Sequence, residues 1–201
     1  MDLYQIISYP LYAGSVLEIV LGLALLKQSV RPSRAMRAGA FLYFSAAGFA
    51  LCTALAYTLA GRGGNFAIFH RATWVGWFMV PACLQFIHYL QDENSRTARL
   101  IGLTFYPFWA LVFILTLFTN VVEPGDASLI PYRPVDGLLE QPLRIIGSLM
   151  AVYLLVELFR VRKQVTGVRR KQLSLFLYGT MIFTGGCILI AGVQPLLGAV
   201  D

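Results

Sequence analysis

Residues 69–91 (FHRATWVGWFMVPACLQFIHYLQ) constrain this chain more than any other stretch, because the ends are polar and aromatic while the middle carries almost no charge. About 20 residues at a rise of 1.5 Å each cover roughly the 30 Å of a bilayer's hydrocarbon core. His70, Arg71 and Trp74 mark one end, and His88, Tyr89, Asp92 and Glu93 mark the other. The pattern predicts a membrane-spanning helix over 70–90. A helix that is apolar all round needs lipid or other helices on every side, so its neighbours are expected to span as well.

The remaining apolar runs meet that expectation. Spanning helices are predicted at about 9–26, 38–60, 99–119, 142–160 and 173–197, giving an all-α, polytopic bundle of six spans in a single domain. Hydrophobic residues make up 58% of the chain and charged residues 13%, outside the range of ordinary soluble domains. Residues 120–141 form the longest polar segment, with Pro124, Pro131, Pro134 and four acids. Ala46, Ala50 and Ala54 recur every fourth residue in the second run, and Gly179, Gly185, Gly186 and Gly192 punctuate the last; small residues of this kind let helices approach closely in lipid. Pro107 predicts a kink in the fourth helix.

The net charge of +6 would suggest nucleic acid in a soluble protein, but here the charges lie in the loops. If the helices alternate in direction, Lys27, Arg31, Arg34, Arg37, Arg96, Arg99, Arg160, Arg162, Lys163, Arg169, Arg170 and Lys171 share one side. Only Arg62, Arg71, Arg133 and Arg144 fall on the other, out of 16 basic residues. The positive-inside rule makes the first side cytoplasmic and places the N-terminus, the loop 120–141 and Asp201 outside. The cluster from Arg160 to Lys171 would attract anionic headgroups, although its effect on topology explains it equally well. The N-terminus carries Asp2 and no basic residue before Lys27, which predicts no cleaved signal peptide.

Glu18 is the candidate that stands out, an ionisable group near the centre of the first helix. Such a group costs roughly 2.5–3.5 kcal/mol at mid-membrane. It is either a ligand or proton site, or a protonated carboxyl hydrogen-bonded to a neighbouring helix. Arg144 is the nearest cation in depth, about six residues or 9 Å closer to the outside, so a pair would need tilt or a bridging ligand carboxylate. His70 and Arg71 at the outer mouth either receive an anionic group or anchor the helix at the interface. Trp74 and Trp77, with Trp109, Tyr12, Tyr57 and Tyr132, would wall an outer-half pocket, or simply form interfacial belts.

His70 and His88 lie roughly 27 Å apart on one helix and cannot share a metal. Cys52, Cys83 and Cys187 sit on three different runs with no metal-ligand spacing and are expected to be buried free thiols. Glu157 and Arg160 have the spacing of a helix-surface ion pair. No nucleophile–base arrangement, phosphate loop or metal set occurs. The chain is therefore expected to have no enzymatic activity, cofactor or metal of its own, and no nucleic-acid partner.

Taken together, an outside N-terminus, a third helix with Arg71, Trp74 and Pro81, the basic loop VRRKQLSLFLYG (168–179) and a sixth helix ending in QPLLG (194–198) resemble the N-terminal seven-helix sensor region of bacterial sensor histidine kinases. The resemblance implies a ligand-sensing bundle in the inner membrane that passes a change in helix packing to a cytoplasmic kinase module. It also implies a seventh helix after the sixth. This chain stops at the turn, after Gly198, and carries no kinase motif, so kinase activity does not carry over. Two other readings remain: a non-catalytic scaffold that binds another membrane protein through its small-residue faces, and a small transporter. Membrane lipids and a small amphiphilic or apolar ligand are the expected partners.

Overall fold

The structure is a computed structural model that describes residues 3–27, 31–62, 66–119, 121, 138–164, 166, 167, 170, 174 and 178, with only the backbone for residues 3–5, 141 and 144. No strand occurs among the described residues. The predicted sixth helix (173–197) with its glycines, apart from Ser174 and Tyr178, nearly all of the loop 120–141, and the basic residues Arg169 and Lys171 lie outside them. Contacts divide the chain into two compact units, Met1–Gly147 and Ser148–Asp201, which are taken in turn.

In the first unit, helices α1 (Leu3–Lys27) and α2 (Arg34–Gly61) form a hairpin. A helical rod over 67–91 follows, made of α3 (Ala67–Ala72), a 3₁₀ stretch (Thr73–Phe78) and α4 (Met79–Gln91). Then come α5 (Arg96–Phe118) and the start of α6 (Glu140–Gln164). Helix α1 packs on α2, α2 on all three parts of the rod, and the rod on α5. Among the described residues three helices are long and apolar enough to cross a bilayer: Ile6–Lys27, Arg34–Gly61 and Arg96–Phe118. They mark the chain as a membrane protein. On α1, Val16, Leu17, Ile19, Val20 and Leu23 stand exposed, as expected of side chains whose solvent is lipid.

The helix ends differ from expectation by about a turn, and the caps explain two of them. Ser33 accepts a hydrogen bond from Met36 N–H at 3.2 Å, and Ser95 accepts one from Ala98 N–H at 3.2 Å. These serines start α2 and α5 earlier than the apolar runs begin. The Glu93 carboxylate also accepts from Arg34 N–H at 2.7 Å, fastening the turn after α4 to the N-terminus of α2, where an anion is favoured. Helix α5 runs through Pro107 as one continuous α-helix.

The predicted unbroken helix over 70–90 is not what forms. Six residues in its first half, Thr73–Phe78, wind as 3₁₀ helix, with Met79 N–H bonded to Gly76 carbonyl. Pro81 favours the tighter winding at the C-terminal end of this stretch, whereas Pro10 and Pro107 sit within continuous α-helix. An α-helical ladder would ask residue 81 for the N–H that bonds the Trp77 carbonyl; proline has none, and its ring presses on that same carbonyl. Tightening to i→i+3 bonds removes the demand.

Small residues set the spacing of the bundle. Every buried residue of α2 is Ala, Gly or Ser. A Cβ added to Gly22 would lie 2.7 Å from the Phe44 ring, one added to Gly48 3.3 Å from Val75, and one added to Gly76 2.9 Å from Phe49. Between α4 and α5 the notch holds a polar group. Gln85 Nε2 donates to the Ala98 carbonyl at 2.8 Å, and Tyr106 Oη donates to Gln85 Oε1 at 2.8 Å. A side chain at Gly102 would collide with Gln85.

In the second unit α6 continues to Gln164, with Met150, Leu154, Glu157, Leu158 and Val161 buried. The expected pair forms, Arg160 Nη1 lying 3.5 Å from Glu157 Oε1. Gly167 follows at φ 64°, a left-handed conformation that suits glycine just beyond a helix end. Arg162 Nε donates to Ser174 Oγ at 2.8 Å.

The Gln85 bridge makes a first prediction. Gln85→Leu should lower stability by about 0.6–2 kcal/mol, the worth of an interhelical hydrogen bond in a membrane protein, and Gly102→Leu should lower it further by displacing Gln85. Thermal melting in mild detergent is the measurement. Melting temperatures equal to wild type in both variants would show that the bridge contributes nothing.

Candidate functional site

Helix α1 meets α2 along one seam, where Ser8 and Ser15 are buried and Gly22 receives the Phe44 ring. Glu18 lies three residues after Ser15 and four before Gly22, so the helical repeat places it on this seam. It is half-buried, and its Oε2 is buried with no hydrogen-bond partner among the described residues. The register follows from two contacts: Tyr12 Oη lies 3.1 Å from Thr58 Oγ1, and Gly22 meets Phe44. Interpolation sets Glu18 level with the part of α2 near Ala50.

The tryptophans gather at nearly the same level. Val75 fits the notch of Gly48, which fixes the depth of the 3₁₀ stretch against α2. In 3₁₀ geometry residues three apart eclipse, which places Trp74 and Trp77 in one row with ring centroids 6.2 Å apart. Trp77 stacks on Trp109 of α5, with centroids 5.2 Å apart and an interplanar angle of 6°. Trp74 is 5% exposed and Trp109 1%. The Trp109 Nε1 atom is buried with no hydrogen-bond partner among the described residues. A second group of rings (Phe41 of α2, Phe78, and Tyr106 and Phe113 of α5) lines the other side of the rod, with centroids 5.2–6.3 Å apart.

Two of the three tryptophans, Trp74 and Trp109, bury their rings against neighbouring helices. Trp74 and Trp109 are packed inside the bundle because 3₁₀ winding and the stack on Trp77 draw them there. Trp77 also lies over Gly147 of α6, where any Cβ would strike its ring. The backbone of Arg144 is thereby held one turn from the row, though its side chain lies outside the described residues. Tyr12 is engaged with Thr58, and Tyr57 is 37% exposed on α2. His70 and Arg71 sit in the last turn of α3, which buries no residue. Tyr132 lies outside the described residues. Cys52 and Cys83 are free thiols, the second of them buried.

The two principal features therefore share a depth without being brought into contact. Glu18 approaches α2 from α1, and the tryptophan row approaches it from the rod. Chemically, one side of α2 faces a carboxyl with an unsatisfied oxygen and another faces a row of flat apolar rings. Among the described residues no three His, Cys, Asp or Glu side chains cluster. Gln85 is the residue sequence reasoning passed over; it is the one amide within MVPACLQFIH, and a polar group so deep in an apolar run needs a partner.

The chain has three tryptophans, so its emission reports this row alone. Emission should be blue-shifted, and iodide should quench it little in detergent or lipid. Quenching close to that of free tryptophan would contradict the packed row. Compared with known protein families, curated proteins and solved structures, the chain shows no match.

Proposed function

We propose that this chain is the membrane-embedded sensory domain of a bacterial two-component system, binding a small amphiphile between its helices and relaying the event by helix repacking. In this reading six helices cross the inner membrane. The rod over 67–91, about 40 Å long at 1.5 Å per α and 2.0 Å per 3₁₀ residue, is one of them, and α6 and the 173–197 segment complete the set. The N-terminus and residue 201 are extracytoplasmic, and the arginine-rich ends meet a cytoplasmic kinase module.

One observation carries the proposal. A carboxyl near the middle of a spanning helix faces inward with an oxygen lacking any partner among the described residues, at the depth of a buried tryptophan row. Structural carboxyls in lipid are satisfied by neighbours; an unsatisfied one suits a ligand that completes its hydrogen bonding. The alternative is a non-catalytic scaffold that binds another membrane protein through its small-residue faces; of these, Ala50 and Ala54 are buried within the chain itself, and the glycines of 173–197 lie outside the described residues.

Decanoate, a carboxylate on an apolar chain, is a suitable probe. Titrated into the full chain in lipid nanodiscs, it should change tryptophan emission saturably, and Glu18→Gln should shift the midpoint about fivefold, the worth of roughly one hydrogen bond. If decanoate titration and melting temperature are the same in Glu18→Gln as in wild type, Glu18 has no part in binding.

A further inference from the structure

We propose that the 3₁₀ stretch Thr73–Phe78 is a two-state element that converts to α-helix and draws α3 toward α4. A six-residue 3₁₀ run is long, and such a run within an α-helical rod marks a place where two windings compete. Both windings bond nearly every backbone group, so in lipid they differ by few hydrogen bonds. The observed state is favoured at one end by Pro81, which is fully buried and denies an α ladder its donor. It is held laterally by three contacts: Val75 in the Gly48 notch, Gly76 against Phe49, and Trp77 stacked on Trp109. Rewinding would misalign all three, because residues three apart no longer eclipse in an α-helix.

The two flanks of the stretch are not equally fixed. Helix α4 buries Pro81, Ala82, Cys83, Leu84 and Ile87, and Gln85 ties it to α5 through the Ala98 carbonyl and Tyr106. Helix α3 packs on α2 and α5 but, unlike α4, buries no residue of its own. Conversion therefore moves α3, by about 3 Å along the rod axis and with a turn of roughly 120° over six residues. His70 and Arg71 ride on it. A molecule that competes for the tryptophan row loosens the Trp77 stack and favours the shorter state, as population shift requires of a ligand that binds the two states unequally. That relay rests on the sensory reading above; the shortening itself does not.

The experiment measures the rod directly. Spin labels are placed through Ile68→Cys and Leu90→Cys, which are 61% and 39% exposed, in the full chain carrying Cys52→Ala, Cys83→Ala and Cys187→Ala. Pulsed electron paramagnetic resonance then gives the label separation in phosphatidylcholine–phosphatidylglycerol vesicles. Pro81→Ala restores the missing donor, and the separation should shorten by about 3 Å. If Pro81→Ala does not fold, the pair Phe49→Ala and Gly76→Ala should shorten it likewise, by favouring α winding and opening the space it needs. An unchanged separation in the folded variants overturns the proposal. A shortened rod in a chain that gives no decanoate response leaves the two-state element standing and removes only its role in sensing.

Discussion

The contact on which the other features depend is the reciprocal notch between α2 and the rod, where Val75 enters the space above Gly48 and Phe49 covers Gly76. Helices in lipid gain little from burying apolar surface, since lipid is as apolar as they are; they associate through close packing and hydrogen bonds. Each member of this pair supplies both a bulge and a hollow, so the two backbones approach closely and cannot slide without collision. That contact sets the depth of the 3₁₀ stretch, and through it the position of the tryptophan row and its stack on α5. Helix α1 packs along α2 on an extensive seam of its own, where Gly22 receives the Phe44 ring and Ser8 and Ser15 are buried, while much of its circumference is turned outward.

A bilayer leaves polar groups no water, so each must find a partner inside the chain. Most do so locally. Ser45, Thr53, Thr58 and Thr116 return their hydroxyls to the carbonyl four residues earlier at 2.7–2.9 Å. Gln85 takes a longer route and thereby joins α4 to α5. Against that background Glu18 and Trp109 are exceptions, each with a buried polar atom that nothing described satisfies. Natural structures seldom leave such atoms without a reason, and both lie near the depth at which the proposed ligand is placed.

Much of this architecture was legible in the sequence because lipid imposes simple rules. Apolar runs of spanning length located α1, α2, α5 and α6, and the spacing of Glu157 and Arg160 anticipated their contact. The misses share a cause, which is that hydropathy averages over single residues. Ser33 and Ser95 moved two helix starts by a hydrogen bond each. The predicted single helix over 70–90 winds as three consecutive pieces, with Pro81 and the packing of Val75, Gly76 and Trp77 favouring the 3₁₀ part. Trp74 and Trp109 pass for interfacial anchors in a hydropathy profile; that Trp74 lines up with Trp77 follows from the eclipsed geometry of 3₁₀ winding, and that Trp109 stacks on Trp77 follows from the packing of α5 on the rod. Glu18 was visible as a lone charge in an apolar run, whereas its level relative to the tryptophans required the register of α1 on α2.

The reciprocal notch can be tested against an internal control. Gly14, on α1, has nothing within 4 Å of where a Cβ would stand, while Gly48 and Gly76 face Val75 and Phe49. Melting the full chain in mild detergent as Gly48→Leu, Gly76→Leu and Gly14→Leu should show losses of about 1–3 kcal/mol or more for the first two, as overpacking costs, and little change for the third. Equal melting temperatures for all three would mean that α2 and the rod are not locked in this way, and the depth assigned to the tryptophan row would fall with them.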